Sequence, residues 1–248
     1  MKRAFITLLV LSLLLGALEV ALRVFLPSSL EGVTRVALKV PAESDVEVTM
    51  PGLLTLNAVR GGVRDVRVES THVRLFDEVH ADIELRMDSA PLIPALGSIK
   101  GGTVRMTVPA DERDDLLSLL SEGLVQSSEV VDGHLRVFGE VNENHYDLPS
   151  YPGFAVPFEG ELVLEGADHF VTAWIHDPVI HAPPGPLTDF MAEALSEDRE
   201  LCLAERFPRG LTLEDAWVNE EGEVLIDATL SPGIMSNLNE RILGDCFD

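Results

Sequence analysis

The sequence predicts an α+β fold: long antiparallel hairpins punctuated by three helices and preceded by an N-terminal apolar helix. Three observations carry that prediction. An almost unbroken apolar run opens the chain. From Asp45 onward the apolar residues recur with a period of two, as in half-buried strands. Two later stretches return to the three-and-four spacing of a helix face.

The leader comes first. Met1-Lys2-Arg3 is a short basic head, and Ala4 to Leu18 is interrupted only by Thr7, Ser12 and Gly16. Basic residues hold the head on the cytoplasmic side while the apolar run enters the export machinery, so the rest of the chain is expected outside the cytoplasm. Its destination would be the outer face of the cytoplasmic membrane, the periplasm or the cell envelope. The run is shorter than the ~20 residues of a full span, but beyond Glu19 and Arg23 the apolar stretch continues to Leu26. Ala17-Leu18-Glu19 and Ala21-Leu22-Arg23 are poor cleavage sites. Residues 1–27 therefore read as a signal peptide or an uncleaved membrane anchor, with the anchor preferred, and residues 28–248 as a single domain.

Pro27 is expected to stop the leader. Ser28-Ser29-Leu30-Glu31 has capping-box spacing and would start a helix from Ser29 to Leu38. The strand pattern then begins with Val46, Val48 and Met50 opposite Asp45, Glu47 and Thr49. It recurs at Val66/Val68, Val73/Leu75, Ile83/Leu85/Met87 and Val104/Met106/Val108, with charged or polar residues between. Gly61-Gly62 and Gly101-Gly102 supply turns. Asp111 to Gln126 reads as a helix, with Leu116, Leu117, Leu120 and Leu124 on one side and acids in its first turn. Strands resume at Leu135/Val137, Leu162/Leu164 and Phe170/Thr172/Trp174, separated by an irregular, Pro-containing segment from Asp147 to Pro157. Pro183-Pro184-Gly185-Pro186 is a rigid break before an amphipathic helix carrying Leu187, Phe190, Met191, Ala194 and Leu195. Leu211 to Glu214 and Val224/Ile226/Ala228/Leu230 form the last hairpin.

Charge excludes one class of function. The first 40 residues hold five basic and two acidic residues, whereas the remainder holds 13 and 40, a net of −27. A body that acidic repels nucleic acid, so none is expected as a partner. Cys202 and Cys246 are the only cysteines. In an exported protein such a pair is a disulfide candidate, and closing a loop of roughly 45 residues would stabilise by ~4 kcal/mol on the chain-entropy model. Two buried thiols are the alternative.

No catalytic signature is present: no Gly-x-Ser-x-Gly elbow, no His-Glu-x-x-His, no phosphate loop and no dinucleotide fingerprint. His176 and His181 flank Asp177 in what reads as a loop, with a spacing that matches no usual metal-ligand pattern. The sequence thus predicts no enzyme, no cofactor and no metal. What it offers is a surplus of one-sided, methyl-bearing strands with few aromatics. A curved sheet lined this way can close over a helix and leave a tapered cavity for acyl chains, at ~0.8 kcal/mol per buried methylene. It can equally well be a packed core.

The stretch Val46-Glu-Val-Thr-Met-Pro-Gly-Leu-Leu-Thr-Leu-Asn-Ala-Val-Arg-Gly-Gly-Val-Arg-Asp-Val-Arg-Val-Glu69 resembles the opening of the LmeA-like phospholipid-binding family of actinobacterial envelope proteins. The likeness extends to the Asp82–Met87 strand, the helix from Asp111, and Phe207-Pro-Arg-Gly-Leu-Thr-Leu213 leading into Glu221-Gly-Glu-Val-Leu-Ile226. The order of elements is similar over nearly all of the chain after residue 40. The resemblance implies a tubular lipid-binding fold like one half of the bactericidal/permeability-increasing proteins, with a long antiparallel sheet rolled around a helix. It also implies phospholipid binding in envelope lipid or lipoglycan homeostasis, without established catalysis.

Under that reading, strand parity nominates Met50, Leu53, Leu54, Leu85, Met87, Met106 and Ile226 as groove lining for a phospholipid or other acyl-chain lipid. Arg60 and Arg64, beside the Gly61-Gly62 turn, are the candidate headgroup contacts, with solvated surface charge as the alternative. The competing function is a non-enzymatic envelope adaptor or scaffold with a packed core and no lipid cavity.

Overall fold

The structure, a computed structural model, describes residues 2–37, 44–75, 79–93, 96–143, 145, 153–168, 170–202 and 207–245. It is a mixed α+β architecture whose strands pair antiparallel throughout. The strands form two sheets where the sequence had suggested one. The first has the order β1(Val46–Thr49), β2(Val63–Arg74), β3(His80–Ala90), β4(Gly102–Val108), β11(Val224–Leu230), β10(Leu211–Val218). The second runs β5(Val125–Val131), β6(His134–Asn142), β7(Ala155–Ala167), β8(Phe170–Ile180), β9(Arg199–Cys202), and is inserted between β4 and β10. The helices are α1(Lys2–Ala37), α2(Leu54–Val59), α3(Arg113–Leu120), α4(Pro186–Ser196) and α5(Leu238–Arg241).

Pro27 does not stop the leader, as the sequence had suggested. It lies inside α1, a continuous helix of 36 residues. The lost backbone bond costs ~3 kcal/mol or more. Leu22, Leu26 and Leu30, one turn apart on a single face, offset that cost by packing into the first sheet's core, with Leu26 and Leu30 buried. Each fully buried leucine contributes ~1.5–3 kcal/mol. The expected capping box is therefore absent. Ser28 Oγ donates back to the Val24 carbonyl at 3.3 Å and Ser29 Oγ to the Phe25 carbonyl at 3.0 Å, inside the helix.

The inward phase of the first sheet is the one strand parity predicts: Val66, Val68, Ile83, Leu85, Met87, Val104, Met106, Val108, Ile226 and Ala228 are all buried. Val73 shares that face despite its odd spacing from Val68 because a one-residue bulge between Ser70 and Val73 resets the phase of a single long strand. His72, at φ 55°, forms the bulge, and its amide donates to Asp82 Oδ1 at 2.9 Å. The α2–β2 turn depends on Gly61, at φ 87°. Beside it, a Cβ on Gly62 would stand 2.9 Å from the Ala90 carbonyl oxygen.

Other differences are local. α3 ends at Leu120, and β5 begins where the predicted helix would have closed. His176 and Asp177 lie in β8, where the pairing shifts opposite Glu159 and Glu161. β7 and β10 bring the two sheets together. The Leu213 amide donates to the Asp168 carbonyl at 2.6 Å, and Gly166 passes so close to β10 that a Cβ would meet the Asp215 carbonyl carbon at 2.7 Å. Arg113, only 11% exposed, donates to Ser128 Oγ (2.7 Å), the Ser128 carbonyl (2.9 Å) and the Gly222 carbonyl (3.1 Å), tying α3 to β5 and to the β10–β11 turn.

Candidate functional site

Five of the nominated groove residues, Leu54, Leu85, Met87, Met106 and Ile226, lie together in the first sheet's core, each 7% exposed or less. Met50 packs against its edge, half-buried, and Leu53 points outward, 58% exposed. The register explains why they meet: Ile83 and Ile226 both face Met106 across β4, while Leu85 pairs with Val68 and Met87 with Val66. Their methyl groups fill the space between this sheet and α1. None of the seven borders the apolar pocket found elsewhere in the molecule. Arg60 and Arg64 are exposed at the α2–β2 turn and do not reach that pocket either. Of Cys202 only the backbone is described, and Cys246 lies outside the described residues.

The pocket lies between α3 and the inner face of the second sheet, with a cavity volume of about 250 Å³. Leu117 and Leu120 project from α3, Leu124 from the turn after it, Val125 from the start of β5, and Leu162 and Leu164 from β7. Val171, Ala173 and Ile175 share the inward phase of β8, and Leu195 of α4 closes one side. The space exists because the flanking helices are short. α3 has eight residues and α4 eleven, against strands of thirteen and eleven residues in β7 and β8. Adjacent leucines divide the labour on α3: Leu116 enters the first core and Leu117 the second. Gly160 makes room for Ile175, whose Cγ2 would lie 2.3 Å from a Cβ on that glycine.

The polar rim is sparse. Ser121 and Glu122 follow α3, and Ser121 Oγ accepts from the Val125 amide at 2.9 Å, which fixes the turn. Glu122, at φ 53° and exposed, is the only charged side chain among the lining residues, and the half-buried Trp174 lies beside the same space. Such a lining is compatible with an apolar ligand and unfavourable to an anion at its mouth. The pocket converges no nucleophile and base. The sequence held the spacing of Leu117, Leu120 and Leu124 but no signal that they would border open space.

A second cluster escaped sequence reasoning altogether. The bulge at His72 stacks its ring on His80, with centroids 4.1 Å apart and planes 6° from parallel. Glu112 accepts from the His80 amide and lies 3.2 Å from its Nδ1. These three residues have donor atoms close enough to suggest a metal. Face-to-face imidazoles, however, cannot both direct an in-plane lone pair at one ion ~2.0–2.1 Å away. The pair His176 and His181 does not converge: His176 lies 3.4 Å from Asp177 and His181 3.8 Å from Glu159, all on the outside of the second sheet.

The outer face of the first sheet carries a charge ladder. Arg105 forms two 2.7 Å bonds with Asp227 and lies over the Trp217 ring, 5.5 Å from its centroid. Glu84 pairs with Arg86 at 2.7 Å and Arg67 at 3.0 Å. The hydrogen bond from Arg86, then the charges of Arg86, Arg67 and Arg105, hold the Glu84 carboxyl below the usual carboxylate range despite partial desolvation. These pairs engage Arg67, Arg86 and Arg105 with carboxylates of the same face. Comparison with protein-family models, with curated proteins and with solved structures found no match to this chain.

Proposed function

We propose that the protein is an extracytoplasmic lipid-binding protein of the cell envelope, held to the membrane by α1, that takes an acyl chain between α3 and the second sheet. One observation carries this reading: a pocket of about 250 Å³ lined almost wholly by aliphatic side chains, with one serine and one glutamate at its edge. Dry apolar cavities of even ~150 Å³ take up small hydrocarbons. The resemblance to the LmeA-like family supports the same reading, including a tubular lipid-binding type of fold. The volume sets the size of the guest: part of one chain, with the remainder and the headgroup outside. Glu122 at the rim favours a zwitterionic or neutral headgroup over an anionic one. Packing supports retention of α1, because cleavage after Leu26 would remove both Leu22 and Leu26 from the core.

The test is lipid extraction and mass spectrometry of protein purified from membranes, alongside Ala173→Phe, which fills the pocket. The unsubstituted protein should carry acyl lipid, and the variant should carry about tenfold less, equivalent to ~1.4 kcal/mol of binding, with unchanged unfolding. Equal lipid in both would place the lipid elsewhere. Repeated absence of lipid from folded protein would favour the adaptor, which the filled interior of the first sheet also suits.

A further inference from the structure

We infer that one end of the first sheet is a bilayer-docking face, so that the domain sits in the membrane surface and does not hang beneath it on a tether. This rests on the reading of α1 as a membrane anchor. Residues Ser12 to Gly32 of α1 are long and apolar enough to cross a membrane, and little of that window is buried in the protein. Two charged residues fix where the domain meets it. Glu19 accepts from the Leu54 amide (3.1 Å), the Thr55 amide (2.8 Å) and Thr55 Oγ1 (3.0 Å), and Arg23 donates to the Gly52 carbonyl at 3.0 Å. α2 therefore begins level with the stretch from Glu19 to Arg23. On the side of α1 turned away from the domain, Val20, Val24 and Phe25 remain exposed, at 63%, 60% and 71%. Apolar helix surface thus continues past the level at which α2 docks. A bilayer that covers Phe25 also reaches α2.

The surface there fits such a partner. α2 turns Leu56 and Val59 outward, at 47% and 88% exposure. Val63 pairs with Ala90, which brings the end of β3 beside the α2–β2 turn, and Ile93 and Leu96 beyond β3 are 58% and 80% exposed. Leu211 pairs with Leu230, and Leu230 with Gly102, so the approach to β10 reaches this same end. The segment bonded to that approach, through Arg209 to Ile242 and Gly210 to Glu240, exposes Leu238 and Ile242. The exposed large apolar residues of the domain are concentrated at this end. Interspersed among them are exposed Arg60, Arg64 and Lys100, the last being the only lysine beyond residue 39 in a strongly acidic body. Apolar side chains flanked by cations are what a phospholipid interface recognises.

Geometry adds a reason. The run from Ala4 to Leu18 is 15 residues, or ~22 Å of helix, against a hydrocarbon core of ~30 Å. Sinking the docking face into the interface brings the apolar surface up to Phe25 into use and closes that deficit.

The experiment uses the full chain in phosphatidylcholine/phosphatidylglycerol vesicles whose phosphatidylcholine is either unlabelled or acyl-brominated. Four exposed positions receive a tryptophan one at a time: Leu14→Trp in the anchor, Leu56→Trp and Leu96→Trp on the docking face, and Glu221→Trp at the opposite end of the sheet. Native Trp217 lies six residues into β10, ~20 Å from the docking end, and the emission of Trp174 and Trp217 is subtracted using the unsubstituted protein. Leu56→Trp and Leu96→Trp should be blue-shifted and lose roughly half of their emission to brominated lipid, as for side chains ~5–10 Å into the interface, while Glu221→Trp is unaffected. Quenching at Leu14 with Leu56 and Leu96 behaving like Glu221 would overturn the docking face and leave the anchor standing. A blue shift at Leu56 or Leu96 without quenching would mean that a second copy or another protein covers the face, which also overturns it. Absence of quenching at Leu14 would remove the anchor itself, and with it the proposal.

Discussion

The two sheets follow the same grammar and end differently. Under the first sheet, alternating valine, leucine, isoleucine and methionine meet a long helix, and Leu22, Leu26 and Leu30 fill the space. Under the second, the same alternation meets two helices too short to cover it, and a pocket of about 250 Å³ remains. Parity along a strand therefore tells which side chains point inward. Whether the interior is full depends on the length and placement of what lies opposite, which is a tertiary property.

The largest effect that sharpens this contrast is expected under the first sheet. Leu85→Ala and Met106→Ala, both nearly inaccessible, should each cost about 2–5 kcal/mol in denaturant unfolding, because their neighbours cannot collapse into the void. A cost below that range would mean that this interior is loose, and the contrast between the sheets would fail. Next is the joint between them. Arg113→Met removes three hydrogen bonds to two partners on different sheets and should cost about 2–3 kcal/mol. If the two cores are one cooperative unit, both sheets should still unfold in a single transition. Under the second sheet, Leu162→Ala should cost less, about 1–2 kcal/mol, since that side chain is already half-buried beside open space.

Much of the first sheet was legible in advance. The inward and outward phases of β2, β3, β4 and β11 follow from the sequence, because a half-buried antiparallel strand must alternate. The bulge at Thr71-His72 was foreshadowed only by the odd spacing from Val68 to Val73. The continuity of α1 was not legible, because Pro27 is a strong local signal for a stop and the packing that overrides it comes from residues far along the chain. α2 was missed for another reason: six residues are too few to show a period, and its N-terminus is held by Glu19, 35 positions away. For the site, leucine spacing on α3 announced a buried face, but nothing in the sequence could say that the strands facing it would be left partly uncovered. Likewise the seven nominated groove residues were chosen by parity, and parity does not distinguish a wall from a filled core.

The smallest effect is electrostatic and lies on the outer face of the first sheet. The Glu84 carboxyl is held low by Arg86, so its contribution to stability is present above the ordinary carboxylate range. That contribution is lost as pH falls through its lowered folded-state value. Unfolding free energy should therefore decline on acidification, and Glu84→Gln should flatten that acid-side slope, with a small loss of stability near neutrality, of the size expected for an exposed network, that vanishes at acid pH. A variant with the unaltered acid slope would assign the slope to other carboxylates.

If the proposed function holds, the second sheet, and not the first, receives the acyl chain. A phospholipid carrying a photoreactive diazirine near its acyl terminus tests this most directly, after reconstitution with the full chain and mapping of the adducts by mass spectrometry. Beyond the adducts on α1 and α2 that bilayer contact produces, labelling should fall on residues 117–125 and 162–175, the segments that line the pocket, and Ala173→Phe should abolish it. Labelling of the inward residues of β3, β4 and β11, or none outside α1 and α2, would contradict the account.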